Sequence, residues 1–155
     1  MSTPMSMSTS LQTGHVGLNV TDLGRSLAFY TTVLGLDVQA ESREGDRRFA
    51  LLSRDGRLLL TLWEQSAEGF RTDLAGLHHL SFQVGTMEEV REAEAVLRGL
   101  SVTFAHDGVV SHGEGAASGG IFFHDPDGIR LEIYAPAGAE DAPAPAGAAP
   151  TCGFF

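Results

Sequence analysis

A slide of 64 positions lays one half of this chain over the other. HVGLNVTDLGRSLAFYTTVLGLDV, from His15 to Val38, then lies without a gap over HLSFQVGTMEEVREAEAVLRGLSV, from His79 to Val102. His15 meets His79, Val20 meets Val84, Gly35 meets Gly99, Leu36 meets Leu100 and Val38 meets Val102. A repeated pattern of this kind is one supersecondary unit built twice.

Each copy reads as strand, helix, strand. The opening strands alternate, and a helix then begins at Thr21 or Asp22 in the first copy and at Thr86 in the second. There Thr86 and Glu89 form a capping-box pattern. Leu23, Leu27, Tyr30 and Leu34 recur at helical spacing, as do Val90, Ala93 and Leu97. Each helix is expected to end at its glycine, Gly35 or Gly99, where a left-handed residue is readily accommodated. Two further strands follow in each copy: RRFALLS and RLLLTLW about the turn RDG, then GGIFFH and IRLEIY about DPDG. Asp-Gly between apolar runs is a strong hairpin signal. The prediction is an α+β fold of two βαβββ modules in tandem, with a curved, cavity-lining mixed sheet and helices outside.

Composition sets the limits of that body. Residues 1–10 are polar and of low complexity, and residues 137–155 open with the Ala/Pro-rich run AGAEDAPAPAGAAP; neither can build a packed helix. A single domain over 11–136 is expected, with module one at about 14–65 and module two at about 77–136. TCGFF closes the tail with two Phe that are costly to expose, so they are candidates for docking. The formal charge of −10 leaves no basic patch for nucleic acid or an anionic membrane. The N-terminus lacks a positive segment and an apolar run, and no stretch approaches spanning length. Cys152 is the single cysteine, which excludes an internal disulfide and makes a cytoplasmic, inert thiol the expectation.

Strand parity identifies a polar face. In GIRLEIYAP, Ile129, Leu131 and Ile133 share one side while Arg130, Glu132 and Tyr134 share the other. Val16, Leu18 and Val20 suit packing against a helix, which leaves His15, Gly17 and Asn19 opposite. In the second copy Leu80, Phe82 and Val84 pack, and His79, Ser81 and Gln83 lie opposite. Small and polar residues on both equivalent faces describe a lined cavity better than a core. Two imidazoles and one carboxylate, His15, His79 and Glu132, could converge there on a divalent ion with positions open for substrate and water. The competing reading takes both His as strand-start residues and Glu132 as solvated. Parity places His78 with the packing residues, as a structural group or a donor to its neighbour. Aligning LTLW with LEIY puts Thr61 opposite Glu132, and Glu64, of the other parity, reads as a solvated strand-end charge.

Taken together, these stretches resemble the vicinal oxygen chelate superfamily of glyoxalases, bleomycin- and fosfomycin-resistance proteins and extradiol dioxygenases. The resemblance covers about residues 14–136. HVGLNVTDLGRSLAFYTTVLGL is similar to the family's first strand and helix, GLHHLSFQV to its central strand, and FFHDPDGIRLEIYAP to its closing hairpin. It implies metal positions at His15, His79 and Glu132. Thr61 falls where glyoxalases usually place a carboxylate, so a four-ligand site is not implied. Three protein ligands fit the extradiol branch, which holds Fe(II), and imply a dioxygenase acting on a small catechol-like molecule. His112 lies within about one residue of that branch's acid–base His, and Phe122 stands where some of its members carry Tyr. His112 and Tyr134 are the candidate catalytic residues; His106 and His124 read as surface or turn residues. The alternatives are a glyoxalase-type lyase or isomerase, and a non-enzymatic, antibiotic-binding protein of the bleomycin-resistance kind. Fosfomycin-resistance transferases need several cations, and the face in question offers Arg130 only. Fe(II) is the favoured cofactor, with Mn, Zn, Ni or Co also compatible with the ligand set. The family habit of pairing modules and the apolar Phe154–Phe155 pair imply a homodimer.

Overall fold

In a computed structural model, which describes residues 10–145, 151–153 and 155, the chain forms two successive βαβββ units. The first comprises β1 (Val16–Val20), α1 (Leu23–Leu34), β2 (Asp37–Ser42), β3 (Phe49–Arg54) and β4 (Arg57–Glu64). The second comprises β5 (Leu80–Gln83), α2 (Met87–Gly99), β6 (Val110–Ser111), β7 (Gly119–His124) and β8 (Arg130–Ala135). Each unit has its own four-stranded mixed sheet, in the orders β1-β4-β3-β2 and β5-β8-β7-β6. In both, the first strand runs parallel to the last and the other pairings are antiparallel. A parallel pair needs a crossover, and in each module the helix supplies it. Residues 1–9, 146–150 and Phe154 of the two expected tails lie outside the described residues.

Local chemistry explains most boundaries. The Asp22 carboxylate caps α1 by accepting from the Arg25 N–H at 2.9 Å. Gly35 closes the same helix with φ 62°. Thr86 and Glu89 form both halves of a capping box on α2. The β3–β4 turn places Asp55 and Gly56 at φ 52° and 78°, the primed geometry that matches strand twist. Gly99 departs from expectation: α2 runs through it, and Ser101 takes the left-handed conformation at φ 56°. The reason lies in the hydrogen bonds that close the helix. Ser101 N–H donates to the Arg98 carbonyl at 3.2 Å and Val102 N–H to the Leu97 carbonyl at 3.3 Å. That Schellman pairing places the reversal two residues beyond Gly99.

The two modules share one core. Leu18, Val20, Leu23, Leu27, Tyr30, Leu60 and Leu62 of the first belong to the same buried cluster as Val90, Leu97, Ile121, Phe123, Leu131 and Ile133 of the second. Helix α1 reaches the second sheet directly, with the rings of Phe29 and Phe123 6.4 Å apart. Polar ties reinforce this junction. Tyr30 donates its hydroxyl to Asp125 at 2.8 Å, Arg25 pairs with Asp127 at 2.8 Å, and Thr21 donates its N–H to Asp127 at 3.1 Å. Burial pushes both Tyr30 and Asp125 above their usual pKa ranges, although three donors to Asp125 work in the opposite direction there. Among the described residues no helix is long and apolar enough to cross a membrane.

Candidate functional site

Because Leu131 and Ile133 enter the core, strand alternation turns Glu132 to the other face of β8. It is nonetheless only 3% exposed. A carboxylate so buried needs a partner; His112 supplies one, and His79 stands beside it. Glu132 Oε1 stands 3.9 Å from His79 Nε2, and Oε2 stands 2.5 Å from His112 Nε2. The residue before β5 is His79; Ser81, two positions on, pairs directly with Glu132 across the parallel ladder. Short strand β6 delivers His112, whose Nδ1 is fixed by the Ser118 hydroxyl at 2.8 Å. Buried Ser111 holds the intervening loop by hydrogen-bonding the carbonyls of Gly113 and Ala116 at 2.5 and 2.9 Å.

His79 is oriented from behind. Its Nδ1 lies 2.8 Å from Nδ1 of exposed His78, so that its Nε2 is the nitrogen turned toward Glu132. His78 is thus the partner of its neighbour that parity suggested. Burial lowers the His79 pKa, with Glu132 acting in the opposite direction, and the neutral imidazole that results is the form that binds metal. The 3.9 Å gap is too long for a hydrogen bond. Two coordinate bonds of about 2 Å each can span it, so these residues fit a divalent ion.

An aromatic wall surrounds this pair. Phe122 is wholly buried, and its ring lies 5.4 Å from His106, 6.4 Å from His112 and 5.3 Å from Phe155. Tyr134 stands 5.0 Å from the His112 ring and donates its hydroxyl to Gln83 at 2.9 Å. The Nε2 atom of His106 is buried without a partner, and burial lowers its pKa. His124 stacks edge-on to Phe155 at 5.9 Å. Surface and turn roles therefore miss what His106 and His124 do. His106 has no parity or motif signal in the sequence, whereas His124 shares the parity of Phe122 and opens the HDPDG turn, and Phe155 belongs to the TCGFF end that pointed to docking.

His15 stands apart. It is exposed ahead of β1, as are Gly17 and Asn19 on its side of the strand. Among the described residues, no three His, Cys, Asp or Glu side chains come together as a group able to hold a metal. The structure thus brings together His79, Glu132, His112 and Tyr134, and leaves His15 on the first module's open face. Thr61, on that same face, is buried and accepts from Trp63 Nε1 at 3.0 Å. Glu64 accepts the Leu23 N–H at 2.8 Å and pairs with Arg48 at 3.3 Å, which makes it a structural carboxylate at the start of α1.

The model of the Glyoxalase/Bleomycin resistance protein/Dioxygenase superfamily matches residues 12–133. The chain belongs to that superfamily. Among its relatives, catechol-2,3-dioxygenase of Bacillus subtilis (strain 168) is 30% identical over 125 residues, which are 79% of this chain and 40% of that protein. The chain therefore spans well under half the length of that relative. A solved glyoxylase/bleomycin resistance protein/dioxygenase domain from Frankia sp. EAN1pec superimposes with a TM-score of 0.70 at 27% identity, covering 81% of this chain and 97% of that one. A mutant of the fosfomycin resistance protein FosX from Listeria monocytogenes, solved with Mn(II) and 1S,2S-dihydroxypropylphosphonic acid, shares the fold at 22% identity. Its TM-score is 0.62, over 80% of this chain and 91% of that one.

Proposed function

We propose that this superfamily member is a divalent-metal-dependent, extradiol-type dioxygenase acting on a small catechol-like substrate, with Fe(II) as the favoured ion. The observation that carries the reading is the buried Glu132 carboxylate shared between His79 and His112 beneath an aromatic wall. Similarity to a catechol-2,3-dioxygenase supports the same branch. His79 and Glu132 would hold the ion, and His15 from a second copy of the chain would complete a three-ligand set in a homodimer. The exposed His15, Gly17 and Asn19 face supports that pairing, since it offers an imidazole beside exposed neighbours.

A metal of this kind would supply Lewis acidity toward two adjacent hydroxyls and a path for electrons from the catechol, the net reductant, to dioxygen. The chain's own residues handle position and protons. Glu132 would offer the metal the oxygen that faces His79, while its other oxygen pairs with His112 Nε2 in the absence of substrate. His112, held at Nδ1 by Ser118, would take a proton from a substrate hydroxyl at Nε2 once substrate displaces Glu132 from that nitrogen, and return it to product. Tyr134, its hydroxyl committed to Gln83, presents its ring beside His112 as a wall for a flat substrate. Thr61, already accepting from Trp63, is a poor fourth ligand, and that disfavours a four-ligand glyoxalase centre.

Oxygen uptake by Fe(II)-loaded protein over a panel of catechols tests the reading. Consumption of one O₂ per catechol with a ring-opened product is the expected result. No uptake, together with turnover of a hemithioacetal, would move the assignment to the glyoxalase branch. A sedimentation mass of a single chain at micromolar concentration would remove the shared His15.

A further inference from the structure

The place in front of His79 is already filled by a side chain of the protein itself. The ring of Phe155 lies 5.6 Å from the His79 ring, inclined by only 33°, so the two are close to stacked. Phe122, His124 and His78 meet it edge-on at 5.3, 5.9 and 6.5 Å. The Arg130 guanidinium sits over the same ring, 5.6 Å from its centre. Such a surround differs from the core behind the sheet, where Leu, Ile and Val predominate. It consists of π faces, ring edges and one cation, which together recognise a flat aromatic ring with negative charge at its rim.

The segment that carries Phe155 is attached to the site's own machinery. Thr151, at the head of the turn Thr151–Gly153, donates its hydroxyl to the Ser111 carbonyl at 2.5 Å and its N–H to the His112 carbonyl at 3.2 Å. Phe155 is thereby tethered beside the candidate acid–base histidine, yet the ring remains half-buried, held by ring contacts. Contacts of this type are individually weak and are readily exchanged for an equivalent ring.

We propose that His79, Phe122, His124 and Arg130 form an aryl-binding subsite, and that Phe155 is its resident, displaceable occupant. The ligand that replaces it is an aromatic ring bearing an oxygen anion, with the ring against His79 and the charge toward Arg130. This deepens the dioxygenase reading and rests on it for the identity of the ring as substrate. The plug itself depends only on side chains of this chain. Phe155 acts as a competitor at high local concentration, and the apparent affinity for substrate is lowered by the fraction of molecules in which the ring is seated.

The test uses 4-nitrocatechol, titrated by its visible absorbance into full-length, metal-free protein under nitrogen. Phe155→Ala should bind it about tenfold more tightly than wild type. Phe155→Trp, which retains a flat ring, should bind it no more tightly than wild type. Adding the probe to wild-type protein should also speed amide exchange at residues 151–155. Equal or weaker binding by Phe155→Ala, or exchange that slows on adding the probe, would overturn the proposal and make Phe155 a fixed wall. Because neither metal nor oxygen is present, this result is independent of the uptake assay. Tighter binding without catechol turnover would keep the subsite and remove the dioxygenase; turnover without tighter binding would do the reverse.

Discussion

The two modules have the same strand order and the same interior parity, yet their outer faces have opposite characters. On the first, Gly17 and Asn19 lie open, and buried Thr61 is committed to Trp63. On the second, Glu132 is buried between two imidazoles and roofed by Phe122 and Phe155. The apolar sides merge into one core, so neither copy was free to change there. The sides turned away from the core carry no such constraint. Duplication of this unit thus fixes a scaffold twice and leaves one outer face with a buried, paired carboxylate and the other open.

The sharpest way to break this asymmetry is to remove charge from the second face. Glu132→Ala or His79→Ala should abolish stoichiometric metal binding and lower activity by about a thousandfold or more, with the fold intact by circular dichroism. The companion is His15→Ala. If a second chain completes the site, this change on the open face loses metal equally; full metal content in that variant would confine the site to one module. His112→Ala should keep the metal and slow turnover by about a hundredfold or more, as loss of an acid–base group does.

Smaller effects belong to the junction. Tyr30→Phe leaves one oxygen of buried Asp125 without its donor and should cost about 1–3 kcal/mol in urea unfolding. Asp125 has its pKa raised in the fold, so its contribution is fully present below the unfolded value of 3.8 and is lost as pH rises through the raised one. The stability gap between wild type and Asp125→Asn should therefore be widest near pH 3.5 and narrow toward pH 7. An unchanged gap would mean that the Asp125 pKa is the same in the folded and unfolded chains. Least of all, Thr86→Ala should cost about 1 kcal/mol, and Asp22→Ala a similar amount, since the two caps are equivalent positions of the repeat.

Much of this was legible in the residues. The 64-residue register, the Asp-Gly turns and the capping box are local signals, and local signals fix element order. Parity placed Glu132 and His79 on one face because alternation follows from backbone geometry alone. It could not show that His15 lies apart from them within one chain, since parity says nothing about how two sheets are set against each other. Ser101 escaped because a Schellman closure depends on where the carbonyls of Leu97 and Arg98 find donors, and glycine is only the commonest solution. His106 and His124 escaped because their importance comes from Phe122 and Phe155, residues distant in sequence that meet them only in the fold.

The clasp between Thr21 and Asp127 joins residues 106 apart along the chain. On a ribosome adding about 5–20 residues per second, the start of α1 emerges roughly 5–20 s before its partner exists. During that interval Phe29 of α1 has no Phe123 to pack on and Arg25 has no Asp127 to pair with. Synthesis of this protein thus exposes that side of α1 to whatever holds nascent chains. Slowing translation after residue 65 should lengthen that exposure, while a chain cut before the DPDG turn should never leave it.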